Sequence, residues 1–327
     1  MGVLPRHLLQ FLLAFVRELL GLAILLCFAI GIATLPPLGV EPTTGWLGFR
    51  FRIGWAAWGK GILRLYQAFT GDQPLETMQG QPLGGIVIDS WRVSLILLLG
   101  ALVLAVLFGV LKGVWDFRQL QRRRFAFGPL ITAAIQGMPD FFLLLLVQWV
   151  LIQLLRQTGE LFLPVAWVGD ETWQHYIVPL FCLTIYPLNG ISRVVTTGLQ
   201  EVWAADFVRT GRAKGLREQV LLWKHAMRNV MVQLLDTLPL LLSLSFANLL
   251  ILEYLCNIPG LTKLLRYGIG QEVDARFLAD LYRYGRAIPI DSVLVALSGM
   301  AIGLTFWALW GVVRLLRPLV DPRLRGR

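Results

Sequence analysis

The sequence predicts an all-α integral membrane protein with six transmembrane helices and both termini on the inner side. Three observations carry that prediction. Apolar residues fill 56% of the 327 positions and charged residues only 15%. Six apolar runs are long enough to cross a hydrocarbon core of about 30 Å as helices, which takes about 20 residues each. Lys and Arg are shared unevenly among the connecting segments, as they are when short inner loops retain them.

The first run, residues 8–35, begins the chain. Gly31, Ala33, Pro36 and Pro37 supply no small-x-small cleavage site after so long an apolar region, so this run is expected to remain as an anchor and not to leave as a signal peptide. Arg17 and Glu18 then mark its inner interface. The remaining spans are expected at residues 91–113, 129–155, 176–196, 233–256 and 292–313. This divides the chain into an N-terminal helix at 1–35, an extracytoplasmic segment at 36–90, and a five-helix core at 91–327.

Charge fixes the orientation. The segments 1–8, 112–128, 193–230 and 314–327 carry 18 Lys and Arg against five acids, whereas 36–90, 156–175 and 257–290 hold ten of each sign. The basic group is therefore cytoplasmic. A net charge of +10 also invites a nucleic-acid reading, but these charges sit at span ends, where anionic lipid head groups account for them. No nucleic-acid partner is expected.

The extracytoplasmic segment contains GWAAWGKG, in which Gly54, Gly59 and Lys60 imitate a phosphate-binding G-x-x-x-x-G-K. Gly61 replaces the hydroxyl residue that would hold magnesium, two Trp residues fill the loop, and no strand is expected before it. The resemblance is coincidental. Trp55, Trp58, Ile62, Leu65, Tyr66 and Phe69 recur at helical spacing with Lys60 and Arg64 among them, which predicts an interfacial helix that does not span.

Enzymatic chemistry finds no footing. Cys27, Cys182 and Cys256 lie in or beside apolar runs without a C-x-x-C, and His7, His175 and His225 are scattered, so neither a disulfide framework nor a metal site is expected. No serine stands in a G-x-S-x-G elbow. No cofactor is expected.

The polar exception is DFVRTGRAKGLREQVLLWKHAMRN, residues 206–229, between the fourth and fifth apolar runs. Residues 199–213 tolerate a helix, with Glu201 and Asp206 early and Arg209, Arg212 and Lys214 late, the order that suits a helix dipole. Gly215 can adopt the left-handed conformation that ends a helix. A second helix follows, its apolar residues Val220, Leu221, Ala226, Met227 and Val230 returning toward the bilayer. A short helix held out on two arms suits a groove on another protein.

VRTGRAKGL followed by KHAMRN resembles the cytoplasmic EAA loop of binding-protein-dependent ABC importer permeases, specifically the dipeptide, oligopeptide and nickel branch, which typically reads V-R-T-A-R-A-K-G-L and then R-H-A-L-R-N. Gly211 replaces an alanine; Arg209, Thr210 and Gly211 take the E-A-A places and Gly215 the fixed glycine. The later I-x-L-P element is replaced by His225, Ala226, Met227 and Arg228, as is usual in this branch. EYLCNIPGLTKLL at 253–265 and DPRLR at 321–325 resemble the branch's E-x-x-F-x-x-P-G-L-G-x-L-L and D-P-R-x-R. Cys256 stands where an aromatic is usual and Thr262 where a second glycine is. The likeness covers about residues 90–327, leaving 39–85 and 266–290 unmatched.

The resemblance implies a type I importer permease in the bacterial cytoplasmic membrane, multi-pass, working with a second homologous permease, two cytoplasmic ATP-binding subunits and an extracytoplasmic solute-binding protein. It implies that Asp206, Phe207, Val208, Arg209, Thr210, Gly211, Arg212, Ala213, Lys214, Gly215 and Leu216 couple the spans to the ATPase. Gly215 would set the turn, Asp206 and Arg209 would make polar contacts, and Phe207 and Val208 would pack into the ATPase groove. The solute would be a peptide or a related small molecule such as a nickel chelate. Glu253, with Pro259 and Gly260, matches the branch's external mouth.

Ionisable residues inside spans point to function by default. Asp140 follows Pro139 in the third run and either lines a translocation path or caps a helix kinked by the proline, the latter being the simpler role. A secondary transporter or channel without ATP would be expected to show internal repeats, and residues 1–160 and 161–327 show none that convinces.

Overall fold

A computed structural model of the chain describes residues 6–35, 38–42, 49–53, 55–71, 76, 82–122, 127–160, 162–167, 169, 172–269 and 291–320. The D-P-R-L-R stretch and most of 266–290 lie outside the described residues. Among those described, six helices are long and apolar enough to cross a membrane: Val16–Ala33, Leu83–Gln121, Phe141–Thr158, Gln174–Trp203, Glu218–Leu255 and Ser292–Arg314.

The chain forms two compact units, Met1–Val93 with Pro259–Trp307, and Ser94–Ile258 with Ala308–Arg327. The first unit holds α1 (Arg6–Ala33), a hairpin of β1 (Leu38–Pro42) and β2 (Phe49–Ile53), α2 (Trp55–Thr70), and the start of α3 (Leu83–Gln121). The antiparallel register pairs Leu38 with Ile53 and Pro42 with Phe49. This hairpin is the one addition to the all-α expectation among the described residues, and it corrects a second expectation, because β2 ends just before GWAAWGKG where no strand was expected.

The predicted interfacial helix is α2, and Gly59, Lys60 and Gly61 lie inside it, so the phosphate-loop likeness has no loop. Its placement adds protein contacts on one side to the helix expected to lie on lipid. Leu65 is buried in a cluster with Ala33, Leu83, Leu264, Val293 and Val295. Trp58 Nε1 donates to Thr34 O at 2.6 Å, Ser292 Oγ to Gly61 O at 2.9 Å, and Arg64 pairs with Asp291 at 3.5 Å. The amphipathic stripe that the sequence displays is real, but protein meets part of it, while Trp55, Leu63 and Tyr66 remain exposed.

α10 (Leu261–Gly268) and the first half of α11 (Ser292–Val320) complete this unit. Gly268 accepts Asp291 N–H at 2.8 Å. Gly299 lies where an added Cβ would meet Ala29 Cβ at 2.9 Å, the close approach that small residues allow between membrane helices.

The second unit contains the rest of α3, α4 (Phe127–Gln136), α5 (Asp140–Thr158), α6 (Gln174–Trp203), α7 (Asp206–Ala213), α8 (Glu218–Val220), a π-helical stretch at Leu221–Ala226, and α9 (Met227–Leu255). The third apolar run is thus not one helix over 129–155. It breaks at Gly137–Pro139, because Pro139 offers no amide hydrogen and disfavours helical backbone before it, and the candidate span begins after the break.

The core of this unit lies between α3, α6 and α9. Phe117, Ile191, Val195, Leu199, Leu222, Ala226, Val230 and Leu234 form one buried cluster. Gly113 lets α3 touch α6: a Cβ there would meet Val195 Cβ at 2.6 Å, and Thr196 Oγ1 donates to Gly113 O at 3.1 Å.

Candidate functional site

The loop singled out in the sequence is an outward corner on the second unit. α6 stops at Trp203, Ala205 is extended, and α7 starts at Asp206, so the predicted continuous helix over 199–213 is two helices meeting at Ala204 and Ala205. α7 carries an acid in its first turn and Arg212 in its last, as its dipole favours.

Gly215 ends the helix as its position predicts. Its φ is +73°. The N–H of Gly215 reaches Arg212 O at 2.9 Å and that of Leu216 reaches Gly211 O at 3.2 Å, the paired bonds of a Schellman turn. Arg217 is then extended, and the chain re-enters helix at Glu218.

Only Val208 and Gly211 of α7 are buried. Val208 is fully covered by its own chain, which corrects its expected role of packing into a partner's groove; of the expected pair, Phe207 alone is exposed. Gly211 faces the π-helical stretch, and a Cβ on it would approach Leu221 Cδ2 to 2.5 Å. Asp206, Phe207, Arg209, Thr210, Arg212, Ala213, Lys214, Gly215 and Leu216 are exposed. The exposed residues are thus mostly polar or charged, with Phe207 and Leu216 the large apolar ones among them. Arg209 lies 3.7 Å from Asp206, both well solvated.

Arg212 is turned back toward the spans. Its guanidinium lies 5.1 Å from the Trp203 ring centroid, and Trp203 meets Phe117 of α3 edge to face at 5.3 Å. The knob is therefore tied to a buried residue of the second span through two ring contacts, each of a type that adds about 0.5–1.5 kcal/mol.

The other expected residues lie elsewhere. Asp140 is the first residue of α5, immediately after the break at Gly137–Pro139. Glu253 is buried in the second unit and accepts a hydrogen bond from Ser94 Oγ, while its carbonyl accepts Ile258 N–H at 2.9 Å. Pro259 and Gly260 belong to the first unit, where Gly260 precedes α10.

One cluster escaped the sequence reading. Lys112 Nζ pairs with Asp116 Oδ2 at 2.7 Å and donates to Thr132 Oγ1 and to Gly128 O, and Ser192 Oγ donates to Asp116 Oδ2 at 3.0 Å. The signal was a Lys and an Asp four residues apart, which an early end to the second span assigned to a loop.

Residues 105–326 match the family described as "Binding-protein-dependent transport system inner membrane component". The chain belongs to this family. It is similar to the glutathione transport system permease protein GsiC of Escherichia coli K12, 30% identical over 201 residues, which is 61% of this chain and 62% of that protein. The same protein from Shigella flexneri serotype 5b is 29% identical over the same shares. The chain thus matches less than two thirds of the length of these relatives. As a family member with six apolar helices, it is a multi-pass protein of the bacterial inner membrane.

Proposed function

We propose that this chain is a permease subunit of an ATP-driven, binding-protein-dependent importer, and that α7 with its Gly215 turn is the knob an ATPase grips. The observation that carries this is the corner itself: an eight-residue helix closed by a left-handed glycine, with Phe207, Arg209 and Leu216 outward and Arg212 stacked inward on Trp203. The core from 91 onward forms half of the solute path and a second homologous permease the other half. Two cytoplasmic ATPases dock on the paired knobs, and an extracytoplasmic binding protein delivers solute to the side bearing residues 36–90, Pro259 and Gly260. Curated relatives are named for glutathione transport, which supports a small peptide-like solute.

The test is co-purification and uptake normalised to permease abundance. Gly215→Trp and Arg209→Glu are each expected to leave insertion near normal while reducing ATPase recovery or separating hydrolysis from uptake. Normal uptake with the ATPase bound as usual in both variants would remove the coupling role from this loop.

A further inference from the structure

Within the second unit, α3, α4 and α6 enclose a cleft of about 490 Å³, inside the range that small-molecule sites occupy. Its lining includes Asp116, Gln136, Arg193, Thr197 and Gln200, with Asp116 and Arg193 its charged members. They differ in access. Asp116 is 1% exposed and already paired with Lys112 at 2.7 Å, so it offers the cleft little. Arg193, Thr197 and Gln200 are exposed and follow one another at i, i+4 and i+7, along one face of α6.

Depth decides what meets that face. α6 has 30 residues, about 45 Å at 1.5 Å each, as thick as a bilayer with both head-group layers. Arg193 stands ten residues from the nearer end at Trp203, about 15 Å in, while a head-group layer is only about 5–7 Å deep. Its guanidinium is held at that level, because Nη1 donates to Oε1 of Gln136 at 3.2 Å and Gln136 is the last residue of α4, beside the break at Gly137–Pro139. A cation exposed so far from either head-group layer calls for water and not acyl chains around it.

Charge then selects the occupant. Gln136 gives Arg193 a neutral acceptor for one of five N–H groups, and among the described residues Arg193 forms no ion pair. The rest of its planar fork matches a carboxylate through two parallel hydrogen bonds. The side-chain amides of Gln136 and Gln200 line the same cleft and add neutral donors. We infer that this cleft is a water-filled station for the solute and that Arg193 receives a peptide carboxylate there. The inference rests on the transport reading above and adds to it a place and a chemical group.

The experiment uses the complete transporter in lipid nanodiscs, with exposed Cys27 of this chain replaced by Ser and an exposed reporter, Thr197→Cys, one turn from Arg193. Maleimide labelling of this chain is read after the subunits are separated. Trialanine should slow it, and trialanine amide, which lacks the terminal carboxylate, should need about tenfold more for equal protection. In Arg193→Gln that difference should vanish, and in Arg193→Lys, which keeps the charge without the fork, part of it should remain. Equal protection by acid and amide in the parent, or a preference that survives Arg193→Gln, overturns the site and leaves Arg193 to Gln136 alone. Protection that needs phosphatidylglycerol and no peptide overturns it too, by assigning Arg193 to a lipid head group. Uptake of trialanine separates the two readings: uptake without carboxylate preference removes the site alone, and carboxylate preference without uptake removes the transport reading alone.

Discussion

Gly211 and Gly215 stand four residues apart in one loop and answer to different constraints. At Gly215 the constraint is the backbone, because φ is +73° and an L side chain there costs about 1 kcal/mol. At Gly211 it is space, and the atom in the way is the far end of Leu221, which can swing aside. Ala at 211 also gains about 1 kcal/mol of helix propensity over glycine, so the two effects oppose each other. Gly211→Ala is therefore expected to be near neutral, and Gly215→Ala to lower stability by about 1 kcal/mol, measured by thermal unfolding of the purified chain. A Gly211→Ala loss larger than that at Gly215 would mean that Leu221 cannot move. Gly215 was legible in the sequence because a glycine closing a helix declares itself by position. The burial of Val208 was not, since it depends on residues beyond the turn that local pattern does not locate.

Among the elements, α2 and α7 show how far periodicity reaches. The stripe on α2 announced a helix, but no pattern within 55–70 says whether lipid or protein meets it; Leu83, Leu264 and Val293 decide that from distant parts of the chain. Leu65→Ala should accordingly destabilise the protein by about 2–4 kcal/mol, and Tyr66→Ala, at an exposed neighbour, should change the melting midpoint little. Equal effects would return α2 to the lipid surface. For α7 the decisive contact is Arg212 on Trp203. Trp203→Ala should lose about 1–2 kcal/mol of ring contacts and lower uptake per bound ATPase while hydrolysis continues. A parallel loss of ATPase binding would show that the tryptophan shapes the knob and does not connect it. The third span misled the sequence reading for a plain reason: an apolar run measures length and hides the break at Gly137–Pro139.

For the whole molecule, the number and order of spans were legible because each is continuous apolar sequence of sufficient length, and the Lys and Arg imbalance supplied an orientation. That orientation predicts that in a Cys27→Ser background a cysteine at Glu160 reacts with an impermeant thiol reagent in intact cells, and one at Glu218 does so only after lysis. Labelling of position 218 from outside would invert the arrangement. What pattern could not supply was how far the helices outrun the bilayer: α3 has 39 residues, about 58 Å at 1.5 Å each, and its inner end carries the Lys112 and Asp116 pair. The π-helical stretch at Leu221–Ala226 has a consequence of another kind. A π turn holds one residue more than the α-helical ladder around it, and in an α-helix one residue equals 100° of rotation and 1.5 Å of advance. The fifth span is thus a threaded shaft with one spare step of thread at the end nearest the Gly215 turn. Were that step to pass along the shaft, it would re-phase by about 100° the side chains it crosses, turn by turn.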